Sequence, residues 1–284
     1  FNWKVHLTPI LIIFGANIAN MIYVNSDITL LGLMKNDYIV GLYSVSSKVY
    51  QIVKTLIAAL LIVTIPRLAM LFGKNRIKEY KSILSSLTNT LVLIALPASV
   101  GLVMLSKEIV LLISGERYIK ATNSLSILSL AYIFSILAWI LTDCVLIPSK
   151  REKYVLHSMC SSAILNVLLN IILIPSMNEN AAALSTVLAE MCMFIVNYHY
   201  AKDLVSDIFT SRKFFKNLMD SFVGCIGIVI VCLLCRWGWD STIMMTISSI
   251  VLSIAMYGAI LVLVGNEIVF SWLKKVKEII NKKV

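Results

Sequence analysis

Residues 25–48 read NSDITLLGLMKNDYIVGLYSVSSK, and this stretch decides the architecture. It places Asp27 in one apolar segment and Lys48 in the next, with a short polar turn between the two segments. A charged side chain near the bilayer centre costs about 2.5 to 3.5 kcal/mol, so such residues face a bundle interior and find partners there. Both residues lie roughly 12 to 15 Å below the same membrane face, at ~1.5 Å per helical residue. We therefore expect a polar cavity inside a helical bundle, in which Asp27 is the resting partner of Lys48.

The composition is that of an integral membrane protein. Of 284 residues, 59% are hydrophobic and 14% are charged, whereas about 25% are charged in soluble domains. Apolar runs of about 20 residues predict spanning helices. Eight such runs occur, at residues 8–33, 40–65, 83–105, 122–147, 154–175, 181–201, 217–237 and 241–265. We expect an all-α, polytopic bundle of eight transmembrane helices.

The net charge of +10 follows membrane topology. Eighteen of the 25 Lys and Arg residues fall in one alternating set of connections and five in the other. By the positive-inside rule this predicts that both termini are cytoplasmic. The basic loops account for the charge, so we expect no nucleic acid partner. The chain begins with Phe1 and enters an apolar run almost at once, so we expect it to be part of a longer protein.

Motifs of enzymes and metal sites are missing from the sequence. It holds no Gly-rich phosphate loop, no Ser/His/Asp set and no zinc motif. The six cysteines lie in apolar runs without a Cys-x-x-Cys pair, which indicates buried free thiols. We therefore predict no enzyme activity, no catalytic residue, no metal site and no resident cofactor.

Polar residues recur on single faces of the predicted helices. In the second span one face carries Ser44, Ser47, Lys48, Gln51 and Thr55, at spacings of three and four. Interhelical packing explains the hydroxyls but not the lysine and the amide, so we predict a solvated cavity wall. Lys54 lies about 120° from the centre of this stripe, at the edge of the same cavity. Other such sets are Asn17, Asn20 and Asp27 in the first span, Thr186, Glu190 and Asn197 in the sixth, and Ser158, Ser162, Asn166 and Asn170 in the fifth.

The face that carries Asn166 and Asn170 fits either interhelical packing or a pathway. Three segments outside the polar faces carry further predictions. Asp143 ends the fourth span beside a basic loop, which predicts a partly solvated carboxylate. Lys107–Lys120 holds only a short apolar run and predicts an interfacial elbow. Glu267–Val284 has the amphipathic pattern of a helix on anionic lipid, and a frayed basic tail explains it equally well.

A series of short motifs resembles a known family. Its members in this sequence are Asp27-x-Thr29-Leu-Leu-Gly32, Val40-Gly41-Leu-Tyr43-Ser44 with Lys48, Pro66-Arg67-Leu68, Gly115-Glu-Arg-Tyr118, Leu146-Ile-Pro148, Asn166-x-x-x-Asn170, Ile174-Pro175 and Ala181-Ala-Ala183 to Glu190. Their order and spacing resemble the second half of Wzx-type polysaccharide flippases in the multidrug/oligosaccharidyl-lipid/polysaccharide exporter superfamily. The resemblance covers about residues 1–203. Met177–Asn180 departs from it, because the glycines usual before the Ala-Ala-Ala run are missing.

The resemblance implies an exporter with two pseudo-symmetric six-helix lobes in a bacterial cytoplasmic membrane. Residues 1–203 would form the second lobe, residues 204–266 two additional helices, and residues 267–284 a cytoplasmic amphipathic basic tail. By alternating access the protein would move undecaprenyl-pyrophosphate-linked oligosaccharides, such as O-antigen or capsule repeat units. The implied partners are this lipid-linked oligosaccharide, membrane lipid, the missing N-terminal lobe and polysaccharide polymerase machinery.

Six residues are the candidate functional side chains. Substrate binding is assigned to Lys48, Lys54, Gln51 and Asn20, and ion coupling to Asp27 and Glu190. A pyrophosphate needs fixed cations in a closed cavity, and Lys48 is its predicted main anchor. A carboxylate could bind the coupling H⁺ or Na⁺. Burial raises the proton affinity of the carboxylate and a nearby lysine lowers it, so its surroundings set whether it holds a proton.

Two other functions remain open at this point. An ion-coupled small-molecule exporter of the same superfamily would prefer an acidic cavity for organic cations. A membrane-embedded glycan enzyme would need catalytic residues near a membrane face, often in a large external loop.

Overall fold

The computed structural model describes the backbone of residues 3–281 and most of their side chains. Within this range the chain is almost wholly helical and forms no strand. The helices are α1 Trp3–Met34, α2 Asp37–Gly73, α3 Ile77–Ser114, α4 Ala121–Ser129, α5 Ala131–Trp139, α6 Glu152–Met177, α7 Glu179–Phe209, α8 Arg212–Gly238, α9 Thr242–Leu263 and α10 Glu267–Asn281. A 3₁₀ turn at Glu116–Tyr118 precedes α4, and a π-helical stretch at Ile140–Leu146 continues α5.

The described helices confirm a multi-pass membrane protein. By length and composition, α3, α6, α7, α8 and α9 can each cross a membrane. Two bent pairs add up to two more spans: α2 bends by 43° between Ile57 and Ala59, and α4 meets α5 at 42°. Among the described residues this gives five to seven spans, so the count of eight and the domain boundaries at residues 203 and 266 stay predictions.

The interfacial elbow predicted at Lys107–Lys120 is wrong for most of its length. Helix α3 continues through this stretch to Ser114, because Val110 is fully buried and Glu108 forms an ion pair with Arg236 of α8. The helix ends at Gly115, whose φ of +73° lies in the left-handed region that glycine adopts freely. Only the 3₁₀ turn that follows is irregular.

Two large hydrophobic cores account for most of the packing among the described residues, beside a small one between α3, α8 and α9. The larger core lies among α2, α3, α5, α7 and α8 and includes Leu68, Leu91 and Val205. The smaller core lies among α1, α2, α4 and α7 and includes Leu31 and Leu125. The smaller core places α1, α2 and α7 side by side, which is the arrangement that the candidate site needs.

Helices α8 and α9 pack tightly through two glycines. A Cβ atom at Gly224 would lie 2.5 Å from Cε2 of Tyr257, and one at Gly227 would lie 2.3 Å from Cδ1 of Ile260. Small residues at such contacts let helices approach closely in a membrane. The Tyr257 hydroxyl donates to the backbone oxygen of Leu93, 2.7 Å away, so α9 is also bonded to α3.

The turn between α6 and α7 consists of Asn178 alone. Its φ of 52° and ψ of −130° are unusual for a residue with a side chain, although Asn accepts positive φ better than most. The sequence lacks the glycine that the family resemblance leads one to expect here. The structure therefore shows that Asn178 adopts the glycine-like backbone itself.

We predict that Asn178→Gly stabilises the protein, by about 1 kcal/mol, because it relieves strain at positive φ. Asn180→Gly is the matched control, since Asn180 lies in the first turn of α7, where glycine should destabilise the helix slightly, by about 0.3 kcal/mol relative to asparagine. The measurement is the thermal unfolding midpoint of each detergent-solubilised variant. A lower midpoint for Asn178→Gly would show that the turn is not strained.

Candidate functional site

A cavity of about 460 Å³ lies inside the bundle and is bordered by α1, α2, α4, α5, the π-helical stretch, α6 and α7. Most of the residues that line it are polar or charged. The polar lining residues are Asn17, Asp27, Tyr43, Ser47, Tyr50, Gln51, Lys54, Thr55, Ser135, Thr142, Asp143, Thr186 and Glu190. The structure thus brings together four of the six predicted site residues, Asp27, Gln51, Lys54 and Glu190.

Asp27 of α1 is bound by donors from three other helices. Its Oδ2 atom accepts hydrogen bonds from the Tyr43 hydroxyl of α2 and, at 2.8 Å, from Thr186 Oγ1 of α7. Its Oδ1 atom accepts one from Asn170 Nδ2 of α6, at 2.6 Å. The side chain is only 3% exposed. We call Asp27, Tyr43, Asn170 and Thr186 the Asp27 cluster.

A second row of polar contacts extends the Asp27 cluster along α6. Asn170 Nδ2 also donates to Asn166 Oδ1, at 3.1 Å, and Ser26 Oγ of α1 donates to the same oxygen, at 2.8 Å. Asn166 and Asn170 therefore join α1 to α6, as interhelical packing predicts, and Asn170 also contacts the predicted coupling residue. Within the described part of the chain, the buried Asn170 Oδ1 accepts no hydrogen bond.

The predicted ion pair between Asp27 and Lys48 is wrong. Lys48 is exposed, and among the described side chains no ion pair to Asp27 or Lys48 is seen. The reason is helical geometry: Tyr43 faces Asp27, and a residue five positions later points about 140° away around α2. Lys48 does not line the cavity, so its role as the main anchor for pyrophosphate stays a prediction.

The ion pair inside the cavity joins Lys54 of α2 to Glu190 of α7. Lys54 Nζ lies 3.0 Å from Glu190 Oε1, and the two side chains are 27% and 4% exposed. One turn earlier on α2, the ring of Tyr50 lies beneath the ammonium, 5.7 Å from ring centroid to Nζ. The Tyr132 hydroxyl donates to the backbone oxygen of Tyr50 and so fixes this part of α2 against α5. Lys54 is therefore held at a defined place on the cavity wall.

Asp143 is a cavity residue that the sequence did not assign to the site. Trp139 Nε1 donates to its Oδ2 atom, at 2.6 Å, and both side chains line the cavity. It lies in the π-helical stretch, where Ile147 N bonds to Thr142 O across five residues, at 3.0 Å. Such π-turns occur often at functional sites. The expected half-buried carboxylate is confirmed, but it faces a cavity rather than the basic loop.

The polar face of α2 is rotated relative to the prediction. The residues that line the cavity are Tyr43, Ser47, Tyr50, Gln51, Lys54 and Thr55, so the face lies about 60° from the predicted stripe. Ser47, Gln51 and Thr55 belong to both faces. The two tyrosines were missed because the prediction considered only charged, amide and small hydroxyl side chains.

The remaining predictions concern Asn20, the cysteines and metal binding. Asn20 lies in α1, and its side chain lies outside the described residues, so its role stays a prediction. All six cysteines are free. Among the described side chains, no group of three or more His, Cys, Asp or Glu is placed to hold a metal ion.

The chain is similar in sequence to proteins of polysaccharide biosynthesis. A family model described as "Polysaccharide biosynthesis protein" matches residues 10–123. The probable low-salt glycan biosynthesis flippase Agl15 of Haloferax volcanii is 25% identical over 191 residues, which are 67% of this chain and 40% of that protein. The resemblance to lipid-linked polysaccharide flippases is thereby confirmed.

A solved structure supports the same fold. The lipid II flippase MurJ, in an inward closed conformation, matches with a TM-score of 0.70 and 15% sequence identity. The match covers 88% of this chain and 51% of the MurJ chain. The matched region thus spans about half the length of that flippase and 40% of Agl15, and the single lobe stays a prediction.

We predict that the Lys54–Glu190 pair behaves as a buried ion pair in a double-mutant cycle. Lys54→Met leaves the Glu190 carboxylate unpaired and should lower the free energy of unfolding by about 3 kcal/mol. Adding Glu190→Leu should recover most of this loss, because the unpaired charge is then removed. The measurement is denaturant unfolding of the four proteins in mixed micelles.

The control cycle uses the exposed pair Arg76–Glu79, whose N and O atoms lie 2.6 Å apart. Exposed pairs contribute about 0.2 to 1 kcal/mol, so both single variants should differ little from the parent. If Lys54→Met were as mild as Arg76→Met, water would be solvating Glu190 and the ion pair would not be energetically coupled.

Proposed function

We propose that this chain is one lobe of a flippase that moves undecaprenyl-pyrophosphate-linked oligosaccharides across a bacterial cytoplasmic membrane by alternating access. The observation that carries the proposal is the polar intramembrane cavity, whose wall holds Lys54 next to Glu190. Two similar proteins support it, since one is named a probable glycan biosynthesis flippase and the other a lipid II flippase. The other lobe would supply the opposite wall, and both termini of this chain would be cytoplasmic.

Lys54 is the cation that the cavity offers to a pyrophosphate. Its ammonium already has a partner, so an arriving pyrophosphate competes with the single charge of Glu190. A diphosphate carries more negative charge than a carboxylate, which favours exchange in a cavity of low dielectric constant. Lys48, exposed on another face of α2, would act where the two lobes meet, and Gln51 would offer neutral hydrogen bonds.

Ion coupling fits the Asp27 cluster better than the Lys54–Glu190 pair. In the part of the chain that the structure describes, the partners of Asp27 are neutral, so a proton or a bound cation would balance its charge. The buried Asn170 Oδ1, which lacks a donor, is the kind of oxygen that a hard cation accepts as a ligand. Glu190 would couple differently, by releasing Lys54 when it binds a proton.

One observation favours an ion-coupled exporter of small organic cations as a second candidate. The described lining holds three carboxylates, Asp27, Asp143 and Glu190, against the single ammonium of Lys54. From the sequence we expected two lysines, Lys48 and Lys54, in the cavity, which favoured a negatively charged substrate. A cavity with acidic character attracts organic cations, so the sign of the transported charge separates the two functions.

The first functional prediction concerns the two lysines in the full-length protein. Lys54→Gln should lower surface glycan about 10-fold or more, because a neutral amide cannot offset pyrophosphate charge, and Lys54→Arg should retain much of the activity. The same pair of substitutions at Lys48 tests its predicted role as anchor. The measurement is surface glycan in cells that lack their own flippase, at matched membrane levels, with exposed Arg76→Gln as control.

Normal surface glycan from both Lys54→Gln and Lys48→Gln would contradict a flippase whose substrate is held by this lobe. Resistance of the same cells to organic cations, lost in Glu190→Gln, would instead support the exporter.

The second functional prediction concerns Asp27. In proteoliposomes of the full-length protein, transport should depend on a Na⁺ or H⁺ gradient, and Asp27→Asn should abolish that dependence on the gradient. Asp27→Asn keeps the shape of the side chain but removes the charge that a cation would bind. Asp37→Asn, in the exposed first turn of α2, is the matched control and should leave the dependence intact. Gradient-driven transport by Asp27→Asn equal to the parent would move the coupling site elsewhere.

A further inference from the structure

We propose that α10 is a membrane-surface helix that binds anionic lipid headgroups, and that Asn266 fixes its first turn against α3 and α8. This proposal does not depend on what the cavity transports. It chooses between the two explanations that the sequence left open for the basic segment after residue 266. The evidence is the position of α10 in the chain, the contacts of Asn266, and the exposed side chains of the helix.

The position of α10 places its beginning at the edge of the membrane. Helix α9, which can span a bilayer, ends at Leu263, and α10 begins at Glu267. The three residues between them reach at most about 11 Å, at ~3.3 to 3.6 Å per extended residue. Gly265, with a φ of +75°, turns the chain within this short link. The first turn of α10 is therefore close to the lipid headgroups.

Asn266 connects the beginning of α10 to the bundle. Its Oδ1 atom accepts from the backbone nitrogens of Ile268, at 3.1 Å, and Val269, at 3.4 Å, which caps the helix. Its Nδ2 atom donates to Asn217 Oδ1, at 3.1 Å, and to Asp220 Oδ2, at 2.8 Å, both on α8. The side chain is only 3% exposed. A buried cap of this kind does not belong to a frayed tail.

The contact network continues from α8 into α3. Asn217 Nδ2 donates to the backbone oxygen of Asn89, at 2.9 Å, and Asn217 and Asp220 are as buried as Asn266. At the surface, Lys213 Nζ lies 3.4 Å from Glu267 Oε2. The first turn of α10 is thus bonded to the beginning of α8 and, through Asn217, to α3, and its direction is set by these contacts.

The exposed apolar side chains near the beginning of α10 have the chemistry of a bilayer interface. Ile268 is buried against the bundle, while Phe270, Trp272 and Leu273 are 48%, 38% and 50% exposed. Tryptophan and other large apolar side chains at such a place insert between headgroups and acyl chains. Lipid is therefore the environment that covers them.

The charge of the segment selects anionic headgroups. Residues 267–284 contain five lysines and two glutamates, and Arg212, Lys213 and Lys216 begin the neighbouring α8. The connection at the opposite end of α8, near Arg236 and Asp240, carries no comparable excess. Each Lys or Arg near an anionic membrane surface contributes about 1 kcal/mol to attraction. A partner protein would have to supply both an apolar groove and negative charge, and the membrane beside α10 already offers both.

The test measures the depth of α10 in the full-length protein in nanodiscs. A nitroxide is attached at Trp272→Cys, and its accessibility to oxygen and to a water-soluble nickel chelate is compared in zwitterionic discs and in discs with anionic phosphatidylglycerol. The unsubstituted protein, treated in the same way, corrects for labelling of its own cysteines. We expect the label to be deeply inserted in anionic discs and shallower in zwitterionic ones.

Three variants make the outcome decisive. The triple variant Lys274→Glu, Lys275→Glu and Lys277→Glu should lower the bound-to-free ratio of α10 in anionic discs by on the order of 100-fold, from about 1 kcal/mol per lysine. The double variant Lys74→Glu and Lys78→Glu reverses exposed charges in the connection between α2 and α3, and should leave the depth unchanged. Asn266→Ala should broaden the depth distribution, because the helix loses its cap and its bonds to α8.

Three results would overturn the proposal. The first is equal depth in both kinds of disc and in the triple variant, which would show that charge plays no part. The second is a water-exposed label in every disc. The third is spin–spin broadening that does not depend on lipid charge, which would show that α10 docks on a second copy of the chain.

Discussion

The carboxylate of Asp27 is the point on which the architecture around the cavity depends. It belongs to α1, and its hydrogen bonds come from α2, α6 and α7. A buried carboxylate without such donors is strongly disfavoured in a membrane, so the four helices must keep a fixed rotation about their axes to satisfy it. The packing of Leu31 and Leu125 beside the cluster is consistent with that rotation. The cavity exists where these polar faces converge.

Two carboxylates of the cavity, those of Asp27 and Glu190, are satisfied in different ways. Asp27 has neutral donors in the described structure, whereas Glu190 has the ammonium of Lys54. A change in the charge of Asp27 therefore alters contacts among α1, α2, α6 and α7 without breaking an ion pair. A change at Glu190 releases a cation and affects α2 and α7 alone. Within the same cavity, the charge of Asp27 and the charge of Glu190 can therefore change independently, and each change alters a different set of contacts.

The sequence predicted much of the fold, because apolar length and turn chemistry are local signals. The turn after Met34, the spans of α6 to α9 and the free cysteines, four of the six buried, follow directly from it. The rotation of a helix about its axis is not local. Lys48 and Lys54 are equally costly in lipid, and only packing decides that Lys54 faces Glu190 while Tyr43 takes the place beside Asp27. The bend between α4 and α5 has no proline or glycine at the break, and Asn178 adopts a backbone conformation that is typical of glycine. The sequence therefore contains no local signal for the bend or for this turn.

The π-helical stretch at Ile140–Leu146 gives the cavity wall a property that a regular helix lacks. A π-turn contains one residue more than the α-helical turn that it replaces, and this extra residue can be passed along a helix without unfolding it. Such a shift rotates only the side chains between the old and the new position of the extra residue, by about 100°. Passing it one turn toward Trp139 would carry the Asp143 carboxylate off the cavity wall and leave the helix ends in place. The number of carboxylates that face the cavity thus depends on where the π-turn lies within this short segment.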